Sequence, residues 1–306
     1  MRIVLDTDIG GDFDDANALA LLLASPEVDL IAVTTVGAGA SARQRAQVAR
    51  TMLDAAGRGD VSVFSGFDQP QQNNSVLSSL APQHCLNAWT PEMAEAQVHD
   101  QHAVDALIEI GSASTGETTL LCIGAMTNVA EAIRRNPDAM RRFSEIVAMS
   151  GAFASQVREA NVAIDPEAAD VVYRSGIPLR AVGHEQASRP SIPIDTYIHL
   201  ADSNSRTLGM LSGMAGRYAA AYRTNSVILY DVSAVVAVLR PEWFTFRERT
   251  VSVELAGNAG RGMTIVETDQ LFNSVPDGTV IQIADASNPT EITALFRSRV
   301  FEGLLP

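Results

Sequence analysis

The sequence contains no lysine, and all 22 of its basic residues are arginine. Enzymes that form a Schiff base on lysine, or that bind phosphate through the lysine of a phosphate loop, are therefore excluded. Cysteine is also scarce, since Cys85 and Cys122 are too few for a disulfide framework. No apolar stretch is long enough to cross a bilayer, and Asp6 comes too early for a signal peptide. We therefore expect a cytoplasmic protein that binds no membrane.

Acidic residues outnumber basic ones by 36 to 22, which gives a formal net charge of −14. The arginines form no basic cluster, so a nucleic acid polymer is not an expected partner. Of the 306 residues, 46% are hydrophobic, which is enough for a sizeable core. Because no linker-like, low-complexity or repeated segment divides the chain, we predict one domain over residues 1–306.

Short β-branched runs alternate with helical patterns along the first part of the chain. Strands are predicted at 2–5, 30–36, 61–64, 118–123, 145–150 and 179–182, and helices at 15–23, 41–56, 102–110, 128–135 and 166–175. Asn128 and Glu131 have the spacing of a capping box. Further helices are predicted at 200–222, 232–239 and 289–301, and a closing meander of strands at 251–255, 263–267 and 279–283. The alternation predicts an α/β fold with a single open, mostly parallel sheet and helices on both faces.

Carboxylates crowd the end of the first predicted strand. Five aspartates fall within ten residues there, namely Asp6, Asp8, Asp12, Asp14 and Asp15. Crowded carboxylates must stay protonated or share a cation, and calcium prefers such oxygen ligands. Turn and capping roles would explain Asp14 or Asp15 but not all five. An EF-hand is not expected, because a strand precedes the loop and no glutamate has the required spacing. The cluster therefore predicts a cation site at a strand end, where ligands bind in such sheets.

The chain resembles the inosine-uridine-preferring nucleoside hydrolases. Asp6-Thr7-Asp8-Ile9-Gly10 and Asp14-Asp15-Ala16-Asn17-Ala18-Leu19 are similar to the family signature D-x-D-P-G-x-D-D-A-x-A-L, with Ile9 in place of proline and two extra residues before Asp14. Residues 123–128 (IGAMTN) resemble G-P-L-T-N, 161–169 (NVAIDPEAA) resemble N-x-x-x-D-P-E-A-A, and 230–234 (YDVSA) resemble H-D-P-x-A. The resemblance covers most of the chain and implies a nucleoside hydrolase-like fold with a Rossmann-related core.

The same resemblance implies a calcium site. Its ligands would be Asp8, Asp15, the backbone carbonyl of Ile123, and Asp231, with water and the ribose hydroxyls of the substrate completing the shell. Asp231 considered alone is also compatible with a helix N-cap. Ile123 would draw no attention without the family, because an apolar residue that ends a strand usually belongs to the core.

Further side chains are assigned to the substrate by the resemblance. Asp14 and Asn161 would bind the sugar hydroxyls, and Glu159 would lie near the 5′-hydroxyl. Asp6 and Asp12 would not bind the ion themselves but would orient the residues that do. Asn161 considered alone is equally compatible with a loop cap.

The implied reaction is hydrolysis of the N-glycosidic bond of a nucleoside or related N-riboside, which releases base and ribose. Cleavage develops an oxocarbenium-like sugar, and Asp8 would take the proton of a water that calcium holds and acidifies.

The family often has a histidine before the fourth ligand to protonate the leaving base. Tyr230 stands there, and its phenol would donate a proton less readily or serve only as an aromatic wall. His84 lies roughly where some members have an active-site histidine, but it also fits a surface loop.

Several sugar and base contacts of the family are missing. Gly39-Ala40 stands where the family has Gly-Asn, and the stretch 151–159 lacks the family's loop on the 5′ side. These departures spare the implied metal site, so we expect metal binding to be retained and the substrate preference to have shifted to a modified nucleoside or another N-riboside. The family also implies a homodimer or homotetramer.

Two other functions fit parts of the sequence. Leu5-Asp6-Thr7-Asp8 resembles the D-x-D element of haloacid-dehalogenase-type phosphatases, with Asp6 as nucleophile, although Gly10 replaces their usual threonine or valine and no lysine exists to contact phosphate. The missing contacts would instead fit a non-catalytic protein that binds ribose or a nucleoside.

Overall fold

The computed structural model describes residues 1–38, 40–70, 88–201, 203–267 and 277–304. Its strands are β1 (Arg2–Thr7), β2 (Asp29–Thr35), β3 (Ser62–Ser65), β4 (Thr118–Cys122), β5 (Glu145–Met149), β6 (Leu179–Val182), β7 (Ser191–Pro193), β8 (Ser226–Ile228), β9 (Phe244–Val253), β10 (Thr264–Val266) and β11 (Thr279–Ser287). Its helices are α1 (Asp14–Leu23), α2 (Ala42–Ala55), α3 (Ala103–Ala113), α4 (Thr127–Arg135), α5 (Pro137–Met140), α6 (Ala160–Ile164), α7 (Pro166–Tyr173), α8 (His184–Ala187), α9 (Ile194–Ile198), α10 (Arg206–Tyr222), α11 (Tyr230–Leu239) and α12 (Pro289–Phe296). Short 3₁₀ turns at Pro91–Glu95 and Pro241–Trp243 and a π turn at Arg297–Glu302 complete the helical segments of these ranges.

The main sheet has the strand order β10-β9-β11-β6-β5-β4-β1-β2-β3. Strands β1 to β6 pair in parallel, and β11 joins β6 in parallel. Strand β9 is antiparallel to both β11 and β10. The order β3-β2-β1-β4-β5-β6 is that of a Rossmann-type sheet, whose order reverses between the strands here called β1 and β4. The predicted α/β fold with a mostly parallel sheet is confirmed.

Helices cover both faces of the sheet because successive residues of each strand point to opposite sides. In β1, Ile3 and Leu5 belong to the core under α1 and α11, whereas Val4 belongs to the core under α3, α4 and α7. Residues 231–239 of α11 are all buried, including Asp231 in its first turn. Throughout the described ranges, no helix has both the length and the apolarity needed to cross a bilayer.

Three local predictions are wrong. The predicted helix 200–222 starts too early, because α10 begins only at Arg206, where the hydroxyl of Ser205 accepts a hydrogen bond of 3.4 Å from the Leu208 N–H and caps the helix. The predicted meander is a different arrangement in which β9 lies between β10 and β11. The capping box is absent, because α4 begins at Thr127 and the side chain of Asn128 bonds to the sheet.

Candidate active site

A cavity of about 340 Å³ opens at the carboxyl ends of the central strands, beside the starts of α1 and α11. This is the point where the strand order reverses, which is the usual ligand site of such sheets. Nine of the ten predicted site residues line it: Asp8, Asp12, Asp14, Asp15, Ile123, Glu159, Asn161, Tyr230 and Asp231. The tenth, Asp6, is fully buried. The structure therefore brings the N-terminal aspartates together with residues from the middle and the end of the chain.

The loop between β1 and α1 depends on two glycines. Gly10 has a φ of 109°, a left-handed conformation that favours glycine. Gly124 follows β4, and a Cβ atom there would lie 2.8 Å from the backbone nitrogen of Asp8. Glycine at this position lets the end of β4, with Ile123, approach the aspartate loop closely.

Three carboxylates form the most compact acidic group among the described residues. Asp14, Asp15 and Asp231 each offer one oxygen, and these oxygens lie within 4.8 Å of one another. Burial raises the pKa of all three well above the usual range, and the repulsion of neighbouring carboxylates raises it further. Buried carboxylates that repel one another are the donor set that a divalent cation binds. The residues present therefore fit a metal ion.

Asp8 lies beside this group and faces a buried cation. Its side chain is 19% exposed, and its Oδ2 lies 4.0 Å from Nη2 of Arg45. Burial raises the pKa of Asp8, and the guanidinium of Arg45 opposes that rise. Asp8 therefore has a partner of opposite charge, whereas the compact group contains only acidic side chains. That group includes Asp14, which the resemblance assigned to the sugar rather than to the ion.

Arg45 was not predicted from the sequence as a site residue. Its side chain is 2% exposed. Its Nε donates to the carbonyl oxygen of Gly37 at 2.7 Å, and its Nη1 donates to that of Ile9 at 3.3 Å and to that of Asp8. The guanidinium therefore fixes the backbone of the aspartate loop to α2. A signal was available, because Arg45 shares one helical face with the apolar residues Val48, Ala49 and Met52.

Thr7 and Asp6 support the loop in different ways. The hydroxyl of Thr7 donates to Oδ1 of Asp15 and accepts a hydrogen bond of 3.1 Å from the Ile9 N–H. Asp6 accepts hydrogen bonds of 2.6 Å from the Thr34 hydroxyl and 3.0 Å from the Asn128 amide. Burial raises the pKa of Asp6 to about 7. Thr7 thus contacts a predicted metal ligand, whereas Asp6 connects β1 with β2 and α4.

The side chains of Glu159 and Asn161 bond extensively to the protein. Glu159 accepts hydrogen bonds from three backbone N–H groups, those of Gly151, Asn161 and Val162, at 2.8 to 3.1 Å. Its pKa is raised to about 7 by burial. The side-chain nitrogen of Asn161 donates to the carbonyl oxygen of Ile123 at 3.0 Å. A sugar hydroxyl would therefore meet the side-chain oxygen of Asn161 rather than its nitrogen.

Two pairs of aromatic side chains lie at the cavity or beside the aspartate loop. Tyr230 stacks on His184, with ring centroids 5.7 Å apart and planes 28° from parallel. Tyr222 donates its hydroxyl hydrogen to Oδ1 of Asp12, and its ring lies 4.5 Å from that of Tyr218. Tyr218 and Tyr222 are four residues apart on α10, so they share one helical face. That spacing was the available signal for a tyrosine pair beside the aspartate loop.

Two alternative interpretations of single residues are wrong. The interpretation of Asp6 as a phosphatase nucleophile is wrong, because Asp6 is fully buried and its Oδ1 accepts two hydrogen bonds. Asp231 is not a helix N-cap, since α11 begins one residue earlier at Tyr230. His84 and Gly39 lie outside the described residues.

Known proteins match this chain in both sequence and fold. The family model described as inosine-uridine preferring nucleoside hydrolase matches residues 3–291. The pyrimidine-specific ribonucleoside hydrolase RihA of Escherichia coli O1:K1 / APEC is 30% identical, over 96% of this chain and 97% of its own. The probable uridine nucleosidase 2 of Arabidopsis thaliana is 27% identical, over 98% of both chains. Among solved structures, the plant nucleoside hydrolase PpNRh1 matches 98% of both chains with a TM-score of 0.83 and 25% identity.

Proposed function

Because the chain belongs to the inosine-uridine preferring nucleoside hydrolase family, we propose that it hydrolyses the N-glycosidic bond of a ribonucleoside with the help of calcium. The observation that carries the proposal is the group of Asp14, Asp15 and Asp231, whose oxygens lie within 4.8 Å of one another and which line one cavity with Asp8 and Ile123. We assign the ion to Asp8, Asp15, Asp231 and the Ile123 carbonyl. When bound, calcium would hold and acidify the attacking water and bind the sugar hydroxyls.

We assign proton transfer, charge stabilisation and sugar binding to residues of this chain. Asp8 accepts the proton of the attacking water as general base. The negative charge of Asp14 and its neighbours stabilises the positive sugar of the transition state. Asp14 and the side-chain oxygen of Asn161 bind the sugar hydroxyls, and Glu159 fixes the helix start that carries Asn161. Tyr230 lies against the leaving base.

The relatives suggest which substrates to test first. RihA is named for pyrimidine ribonucleosides and the probable uridine nucleosidase 2 for uridine. The panel of substrates therefore begins with uridine and cytidine and continues with inosine and adenosine. The predicted shift of substrate preference is tested in the same panel. Robust turnover of inosine or uridine would refute that shift without affecting the proposed reaction.

The experiment compares hydrolysis of the panel in calcium with hydrolysis in a chelator. We expect release of free base and ribose in calcium only, and a loss of at least about 100-fold in Asp231→Asn because one charged ligand is removed. Asp138→Asn is the control, since the side chain of Asp138 is 94% exposed on the surface. Full activity in the chelator, or an Asp231→Asn variant as active as the control, would overturn the calcium assignment. Nucleoside binding without turnover would support the non-catalytic alternative instead.

We also propose that residues 1–306 fold as one domain and that the protein forms a homodimer or homotetramer. The first proposal is supported by α11, near the end of the chain, which packs on both α1 and β5. A single calorimetric unfolding transition is expected, and sedimentation equilibrium measures the assembly. A cytoplasmic location stays a prediction.

A further inference from the structure

Cleavage of a nucleoside leaves an electron pair on a nitrogen of the departing base, so the reaction is assisted by a proton donor on that side. This requirement rests on the proposed function. Five aspartates line the cavity among the described residues: Asp8, Asp14, Asp15 and Asp231 lie in or beside the compact acidic group, and Asp12 accepts the hydroxyl hydrogen of Tyr222. Glu159 accepts backbone N–H groups with both of its oxygens. Arginine keeps its proton. Tyr230 and His184 are the remaining titratable side chains that line the cavity.

His184 is held rigidly at the edge of the cavity. It directly follows β6 and Gly183, and its backbone N–H donates to the Gly151 carbonyl at 2.8 Å. A Cβ atom on Gly183 would lie 2.6 Å from the ring of Phe153, so the close packing at this strand end requires glycine. The next residue, Glu185, accepts hydrogen bonds from the backbone N–H groups of Phe153 and Ala154 at 3.1 and 2.9 Å. These contacts fix the backbone that carries the imidazole.

The two candidates are in ring contact but differ as proton donors. The rings of His184 and Tyr230 stack face to face, and both residues line the cavity. An ordinary phenol has a pKa near 10, so it gives up its proton less readily than imidazole at neutral pH. Imidazole is the side chain that readily gives up and regains a proton near neutral pH.

We infer that His184 is a further catalytic residue, which donates the proton to the leaving base while Tyr230 holds the imidazole by stacking. The bond between C1′ and the base nitrogen breaks, and its electron pair takes the proton of His184. The oxygen of the attacking water bonds to C1′, and its proton goes to Asp8. Asp8 then releases that proton to solvent and His184 regains one, so the sum is nucleoside plus water giving ribose plus base. Donation of this proton by Tyr230 instead, as its position in the family motif implies, stays a prediction and provides the comparison variant.

The test uses two kinds of leaving group on the full-length protein with calcium. The first kind is whichever of uridine, cytidine, inosine and adenosine is turned over fastest, since its base needs a proton. The second is p-nitrophenyl β-D-ribofuranoside, whose nitrophenolate leaves as a stable anion. The variants are His184→Gln, His184→Phe, which keeps an aromatic ring against Tyr230, and Tyr230→Phe. His199→Gln is the control, because His199 is an exposed histidine.

We expect both His184 variants to lose about 100-fold or more in kcat on the nucleoside and to hydrolyse the nitrophenyl riboside within about threefold of wild type. Equal losses on both substrates would show a structural role and overturn the inference. A selective loss in Tyr230→Phe alone would also overturn it, as would a wild type that hydrolyses only the nitrophenyl riboside. Failure of wild type on every substrate would overturn the proposed function itself. Unchanged calcium affinity by calorimetry distinguishes a lost proton donor from a disturbed metal site.

Discussion

The side-chain nitrogen of Asn161 donates a hydrogen bond of 3.0 Å to the carbonyl oxygen of Ile123, so a residue proposed to bind sugar also orients a proposed metal ligand. In Asn161→Asp, a carboxylate oxygen would face that carbonyl and repel it. We expect calcium affinity to fall about 10-fold or more, as is typical when a partner behind a metal ligand is removed. Isothermal titration calorimetry measures this loss. An affinity equal to that of wild type would show that the Ile123 carbonyl is not a ligand.

Thr7 supports a second proposed ligand, because its hydroxyl donates to Oδ1 of Asp15. Thr7→Val has nearly the same volume but lacks the hydroxyl, so the Asp15 carboxylate loses a fixed orientation. We expect calcium affinity to drop about 10-fold, whereas Thr7→Ser keeps the hydroxyl and should bind calcium nearly as wild type does. If both variants bind equally well, the hydrogen bond has no role in the metal site.

Asn128 connects the centre of the sheet to α4. Its amide nitrogen donates to Oδ1 of Asp6 and to the carbonyl oxygen of Thr35, both at 3.0 Å. Asn128→Ala would remove both of these buried hydrogen bonds and would also leave the Phe67 N–H without its acceptor, Oδ1 of Asn128, so we expect the free energy of unfolding to fall by about 3 kcal/mol. Denaturant titration measures it. Asn288→Ala is the control, because Asn288 caps the terminal helix α12 and its loss should cost only about 1 kcal/mol. Similar losses in the two variants would contradict the prediction.

Glu159 makes stability depend on pH. Burial raises its pKa from 4.5 to about 7, so the folded protein favours the neutral acid. The contribution of neutral Glu159 to stability is fully present below about pH 4.5, and it is lost as the pH rises through about 7. In a chelator, we expect the free energy of unfolding of wild type relative to Glu159→Gln to fall by about 3 kcal/mol between roughly pH 4 and pH 8. Urea titrations at several pH values measure the difference, and parallel curves for the two proteins would exclude this role.

Residues whose role follows from their place along the chain were predictable. Asp14 and Asp15 follow a strand and begin a helix, and Asp231 begins another helix, so both the strand ends and the motif indicated the cavity they line. The partner of Asn128 was not predictable, because a polar residue near a helix start favours a local cap and only the packed structure shows the sheet beneath it. Arg45 was likewise missed, since its contacts with the aspartate loop form only on folding. His184 follows a predicted strand, but only the folded structure shows that it stacks on Tyr230. The later start of α10 was missed because the capping role of Ser205 competes with a continuous helical pattern.

The contact between Tyr222 and Asp12 joins positions 210 residues apart, and Asp231 comes later still. An N-terminal fragment that stops before α10 would contain the whole aspartate loop but neither Tyr222 nor Asp231. The nascent chain therefore has all the residues of its acidic pocket only after about the first three quarters of the protein, through Asp231, have left the ribosome. Capture of the proposed calcium would thus be a late event in biogenesis, and it would report on the folding of the chain as far as α11 rather than of its first half.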